Sequence, residues 1–215
     1  MTEKTPTVRE TSEQEELLID SFMGQYDFSR LEHIVVEAPT DATYRAAREL
    51  DLMSVGGPLV KALMWARELP HRLPGRLGRR PAPPRPERAT LDDLDSGTDW
   101  VLLGERPGSE VVFGVVGTFW RPDIVWRRVE AADFASFAEP GWGKIAANFS
   151  VRPYGAGRTL LVYEARTRLT DPRSRTRFRW YWAAVSPFVG AVLRAALRSI
   201  KRDAEARPQV TITRV

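Results

Sequence analysis

The chain has 215 residues, 43% of them hydrophobic and 28% charged, the balance of an ordinary globular protein, long for one domain and short for two. It contains no cysteine, which excludes disulfides, thiolate chemistry and zinc sites built on sulfur. A net charge of +4 invites a nucleic-acid reading, but the arginines fall in separate stretches with no nucleic-acid motif beside them, so they read as solvated surface and no nucleic-acid partner is expected.

Residues 1–24 read as a flexible or marginally helical leader, because Glu13, Glu15 and Glu16 precede only the short apolar patch Leu17-Leu18-Ile19. The stretch lacks the apolar segment of a secretory signal, and a cytoplasmic location is expected. A first strand is predicted at 32–37, where Ile34-Val35-Val36 is β-branched, ending at Ala38-Pro39. Thr40 and Asp41 are candidate caps for a helix carrying Tyr44, Ala47 and Leu50. A second helix is predicted at 58–69, with Val60, Leu63, Met64 and Ala66 at helical spacing.

From Pro70 to Pro86 the chain holds six of its sixteen prolines, interleaved with arginines and without apolar period. This Pro/Arg-rich segment, 70–90, reads as an irregular surface loop, with a lid over a pocket as the alternative. Strands resume near Asp99. Trp100–Gly104 and Glu110–Thr118 flank Arg106-Pro107-Gly108-Ser109, where Pro followed by Gly predicts a type II turn and therefore a hairpin. A short strand is predicted at 123–129 and a helical turn at 131–137.

The strands at 143–151 and 158–169 flank Pro153-Tyr154-Gly155-Ala156-Gly157 and form the clearest hairpin signal. Alternation puts Ile145, Ala147, Phe149 and Val151 on one face with Leu161, Tyr163, Ala165 and Thr167, and sends Lys144, Asn148, Glu164 and Arg166 to the other. The first set is expected inside, and Glu164 with Arg166 is expected to form a charge pair at the outer surface. The last element runs from Pro172 to about Ala206. Phe178, Trp182, Val185, Val189, Val192, Ala196 and Ile200 lay an apolar stripe along it. Asp171 is its predicted cap, Pro172 its first residue, and Pro187 predicts a kink or a division into two segments.

The order strand, two helices, antiparallel sheet, long helix comes with local residues that resemble a known group. Ile34-Val35-Val36-Glu37-Ala38-Pro39-Thr40-Asp41-Ala42-Thr43-Tyr44 resembles the opening of the START-like, or SRPBCC, superfamily. Within it, Gly114-Val115-Val116-Gly117-Thr118-Phe119-Trp120, Glu164-Ala165-Arg166-Thr167 and Phe178-Arg179-Trp180-Tyr181-Trp182 ahead of Pro187 look like an uncharacterised bacterial branch. The resemblance covers residues 25–206, read as one domain ahead of a tail at 207–215. It implies an α+β helix-grip fold, in which a curved antiparallel sheet wraps a long C-terminal helix and two short helices follow the first strand. It also implies a hydrophobic cavity between sheet and helix, of the kind that takes lipids or polyketides, with cyclases as the enzymatic minority.

Catalytic and metal constellations are missing from the sequence. His33 and His71 are the only histidines and lack partners at ligand spacing; Asp92, Asp93 and Asp95 read as a turn. No catalytic residue, metal or cofactor is assigned. The aromatic and inward-facing residues Phe113, Val115, Phe119, Trp120, Trp126, Phe149, Tyr163, Thr167, Phe178, Trp182 and Phe188 are the candidate ligand contacts. Three functions stay open: a non-catalytic carrier or sensor of an apolar small molecule, a cyclase or dehydratase using a hydroxyl such as that of Tyr163, and an interaction module at a membrane or protein surface. The last draws on the mixed Arg and Trp of residues 175–182; no transmembrane segment is expected, and the oligomeric state is left open.

Overall fold

The computed structural model of the chain describes residues 16–51, 91, 99–121 and 123–206. The helix predicted at 58–69, the Pro/Arg-rich loop and the tail at 207–215 lie outside the described residues. In chain order the elements are α1 (Leu18–Met23), β1 (Phe28–Val36), α2 (Thr40–Arg48), β2 (Val101–Arg106), β3 (Glu110–Gly117), β4 (Trp126–Arg127), α3 (Ala131–Phe134), β5 (Gly143–Pro153), β6 (Thr159–Leu169) and α4 (Pro172–Ala206). The strands form one open antiparallel sheet in the order β1-β6-β5-β3-β2, and the two-residue β4 pairs with the end of β3 that β2 does not reach. A six-stranded antiparallel sheet gripped by a 35-residue C-terminal helix is the helix-grip architecture.

The hairpins follow their turn chemistry. Gly108 takes a φ of 79°, and the Ser109 N–H donates to the Arg106 carbonyl at 3.0 Å, as a type II turn requires. In the β5–β6 hairpin Ile145, Ala147, Phe149 and Val151 stand opposite Thr167, Ala165, Tyr163 and Leu161, the register that alternation predicts. β1 starts at Phe28, four residues before the predicted strand, and pairs with β6 along its whole length. Its inward positions alternate Phe28, Arg30, Glu32, Ile34, Val36, and the two charged members break the apolar period a sequence reader looks for.

The inner face of the sheet meets α2 and α4. Val36, Phe113, Ala147, Phe149, Val151 and Leu161 pack with Tyr44 and Ala47 of α2 and with Ala196, Leu197, Ile200 and Ala204 of α4. Each fully buried Phe or Leu contributes about 1.5–3 kcal/mol through removal from water. α2 opens on Pro39 without a side-chain cap, so Thr40 and Asp41 do not play the capping role predicted for them. The Thr43 hydroxyl donates instead to the Pro39 carbonyl at 3.0 Å.

The outer face is covered as well, which corrects two expectations. Residues 18–23, expected within a flexible or marginally helical leader, form a firmly packed helix, α1, with Ile19 and Met23 buried against Leu103, Val112, Val116, Ala146 and Phe134. The Glu164–Arg166 pair is not at the surface but buried beneath α1. Arg166 donates to Glu164 at 2.8 Å, to Asp20 at 2.6 Å and to the Met23 carbonyl at 3.0 Å, and its guanidinium lies 4.8 Å from the Tyr26 ring centroid. Glu110, also buried, accepts the backbone N–H groups of Leu18 and Ile19 at 2.7 and 3.1 Å and the Asn148 amide at 2.6 Å. A carboxylate thus satisfies two N–H groups that a helix start leaves unpaired. Lys144 donates to the carbonyls of Phe134 and Ala135, each at 2.9 Å, and burial pushes its ammonium down to about 8.

α4 begins as predicted. The Asp171 carboxylate accepts the Ser174 N–H at 2.9 Å and the Gly141 N–H at 2.7 Å, tying the helix start to the entrance of β5. Those backbone donors, Ser174 first, hold its carboxyl at about 2. The helix runs unbroken through Pro187 and does not divide into two segments.

Candidate ligand-binding site

Sheet register assembles the inner face in rows. Arg30, Ala165, Ala147 and Phe113 stand side by side across β1, β6, β5 and β3. One row toward the turn of the β5–β6 hairpin come Glu32, Tyr163, Phe149 and Val111; one row the other way come Phe28, Thr167, Ile145 and Val115. Two alanines therefore sit between a large aromatic row and a mixed one.

α4 packs firmly at both ends and loosely between. Phe178 is 1% exposed and closes an aromatic cluster with Phe28, Phe119, Trp120, Tyr181 and Trp182, at ring-centroid distances of 5.0–6.1 Å from its own ring. Further on, Gly190, Leu193, Ala196, Leu197, Ile200 and Ala204 are buried. From Arg179 to Val189, three turns, no residue is buried. The inward-facing Trp182, Val185 and Val189 remain half-buried there, and so do Ile145, Tyr163 and Ala165 on the sheet. Native interiors fill such space to crystal-like density, so half-buried side chains facing inward on both layers mark a packing gap above the Ala165 position.

The polar groups of the gap are few. Tyr163 stacks on Phe149 at 4.2 Å between centroids, and its hydroxyl has no hydrogen-bond partner among the described residues. Burial raises its ionisation well beyond the ordinary tyrosine range, so the group stays a neutral donor. At the β1 rim, Arg30 at 2.7 Å and Arg194 at 2.6 Å both reach the same oxygen of Glu32. Two guanidiniums on one carboxylate leave the rim with one net positive charge. Arg30 also lies against α4 at Gly190, where a Cβ would come within 2.8 Å of its guanidinium; glycine is what lets the side chain pass.

Of the eleven predicted contacts, Phe113, Phe149 and Tyr163 form one ring group and Phe119, Trp120, Phe178 and Trp182 another. Val115 and Thr167 lie buried in the row between them. Trp126, 36% exposed, meets the second group at its edge, its ring 6.4 Å from that of Phe119 and resting over Gly117, whereas Phe188, also 36% exposed, does not join. The sequence reading missed Arg30, Glu32 and Arg194. The available signal was alternation, which continues from Val36 and Ile34 back through Glu32 and Arg30 once charged residues are allowed at inward positions.

Among the described residues no group of three or more metal-ligating side chains comes together. His33 is exposed on β1, while His71, Asp92, Asp93 and Asp95 lie outside the described residues. Two surface clefts open elsewhere. One, of about 300 Å³, lies by the β2–β3 turn between Arg106, Ser109 and Arg152; the other, of about 610 Å³, lies at the start of α4 between Arg121, Arg173 and Arg177.

No family model matches the chain, and no curated protein matches it. Solved structures do. The chain is similar to TTHA0849 from Thermus thermophilus, with 10% identity over 82% of this chain and 97% of that one, at a TM-score of 0.31. It is similar to the Zhui aromatase/cyclase from Streptomyces sp. R1128, with 15% identity over 83% and 96%, at 0.32. It is also similar to the di-domain ARO/CYC BexL from the BE-7585A biosynthetic pathway, with 15% identity over 84% of this chain, at 0.35, and spans about half (51%) of that protein. At these scores the likeness assigns neither activity nor site, and the helix-grip architecture rests on the chain's own strand order and long helix.

Proposed function

We propose that this chain is a START-like helix-grip protein that binds an apolar small molecule, of the lipid or polyketide kind, between the inner sheet face and α4. The observation that carries the reading is the packing gap: three turns of α4 without a buried residue, over half-buried Ile145, Tyr163 and Ala165. Flat aromatic walls from Tyr163 and Trp182 suit a planar or greasy guest, and a small pocket of this kind needs only one or two polar groups to orient it. The Tyr163 hydroxyl supplies one, and the positively charged rim at Arg30 and Arg194 suits a ligand with an anionic end. We place the domain at residues 18–206, with α1 as part of it, and the site at the contacts named above, with Trp126 at its edge and Phe188 outside it. A soluble carrier or sensor in the cytoplasm is the setting we favour.

A cyclase-like reading draws on the same hydroxyl. Burial keeps Tyr163 protonated, so it would serve as a proton donor to a developing enolate, not as a base. Native mass spectrometry of the gently purified protein, followed by organic extraction, tests the binding reading; a retained adduct of defined mass is expected. A clean apo mass, together with failure of apolar fluorescent probes to bind, would overturn it. Turnover of an extracted ligand that Tyr163→Phe abolishes without loss of binding would decide for the enzyme.

A further inference from the structure

The face of α4 that points away from the sheet repeats at helical spacing, and its middle is apolar: Trp180, Ala184, Pro187 and Ala191 follow one another along it. Trp180 is 73% exposed. The same stripe carries Arg173 and Arg177 at one end and Arg198 and Arg202 at the other, all exposed and none in an ion pair among the described residues. From Pro172 to Arg202 the helix holds seven arginines and one lysine and no acidic residue. A single helix that seals a sheet needs one apolar side, and α4 has two. It is the one described helix long and apolar enough to cross a membrane, and only 28% of its most apolar stretch is buried. Phe178, Leu193, Leu197 and Ile200 seat it on the sheet, so it can lie on a bilayer but cannot leave the domain to span one.

We infer that the outer stripe of α4 docks the domain flat on an anionic lipid surface, with Trp180 at the level of the headgroups and the two arginine pairs on lipid phosphates. An apolar stripe of about 17 Å, at 1.5 Å per residue, bounded by cations at both ends is the pattern of an interfacial helix. Charge argues against a second copy and against the basic stretch of the chain at 61–90. A second copy would set arginine pairs against arginine pairs. Residues 61–90 of the chain itself carry Lys61, Arg67, Arg72, Arg76, Arg79, Arg80, Arg85 and Arg88 against Glu68 and Glu87, and would be repelled by the same pairs. An anionic membrane is complementary to the arginines at both ends of the stripe. This inference does not depend on a ligand in the packing gap, since it uses the opposite side of the helix.

The test is co-sedimentation of the full chain with vesicles of phosphatidylcholine alone and of phosphatidylcholine with phosphatidylglycerol, at low and high salt. Wild type is expected to partition at least about tenfold better onto the anionic vesicles and to be released by salt. Reversing the four stripe arginines together (R173E, R177E, R198E and R202E) is expected to weaken that partition on the order of a hundredfold or more. Trp180→Glu, which touches no ion pair, should weaken it independently with circular dichroism unchanged. Equal binding to both vesicle types, no binding at low salt, or full binding by both variants would each overturn the inference. So would a dimer in sedimentation velocity that Trp180→Glu dissolves, which would assign the stripe to a second copy.

Discussion

The two faces of the sheet are built from the same strands, yet they use their polar residues differently. On the outer face nearly every buried polar atom has a partner: Arg166 joins Glu164, Asp20 and the Met23 carbonyl, and Glu110 holds the start of α1. The Asn148 side-chain oxygen is the one buried side-chain atom without a partner among the described residues. On the inner face the layer between sheet and α4 is apolar apart from the Arg30–Glu32–Arg194 cluster at the β1 rim, and α4 is buried toward both ends and at most half-buried between. A short helix of six residues is held on one side by ionic and hydrogen-bonded contacts, whereas a helix of 35 residues on the other is buried toward its two ends and at most half-buried over the turns between. The contrast sets a densely paired layer on the outer face against a less completely covered stretch on the inner one.

That contrast can be broken by substitution, with the largest effect expected at Arg166. Arg166→Met strands the buried Glu164 carboxylate under α1 and takes a partner from Asp20, and should cost about 3–5 kcal/mol in urea denaturation; a loss under about 1 kcal/mol would mean that water reaches the outer face. Glu110→Ala leaves the Leu18 and Ile19 N–H groups and the Asn148 amide unpaired, at a cost of about 1–3 kcal/mol. Hydrogen exchange should show α1 opening first, ahead of β5 and β6.

One matched pair sharpens the comparison directly. Ala146, on the outer face, is 0% exposed, and Ala146→Leu should destabilise by about 1–3 kcal/mol through overpacking. Ala165→Leu, on the neighbouring strand but facing the gap, should cost less than about 0.5 kcal/mol, since a void is being filled, and should expel any retained adduct in native mass spectrometry. Equal costs for the two would show that no gap exists.

The smallest effect concerns the helix start that props the gap open. Asp171→Ala removes the cap and the link to Gly141 and should cost about 1 kcal/mol. Because the Asp171 carboxyl is held at about 2 in the fold, against about 3.9 in an unfolded chain, its stabilisation is complete above the unfolded value. It is lost as pH falls through the folded one. Thermal melts should therefore show the difference between wild type and variant at about pH 5 and find it shrinking toward about pH 2.

Much of this molecule was legible in the chain. Local chemistry is enough to place the Pro107-Gly108 turn, the β5–β6 register and the Asp171-Pro172 helix start, because each depends on residues within a few positions of one another. The order of those elements, with the START-like resemblance, was enough to anticipate the helix-grip architecture and the inward side of the sheet. What only the tertiary structure decided involves contacts between distant segments. α1 looked like a leader because its stability comes from Glu110 and Arg166, about 90 and 146 residues further along. β1 looked shorter because the charges of Arg30 and Glu32 are accommodated by Arg194 on another element. The half-buried stretch depends on which turns of α4 fall over Ile145, Tyr163 and Ala165. A periodic apolar stripe tells that a helix will be covered, but not how closely, since packing density is a property of two surfaces brought together and neither sequence segment holds it alone.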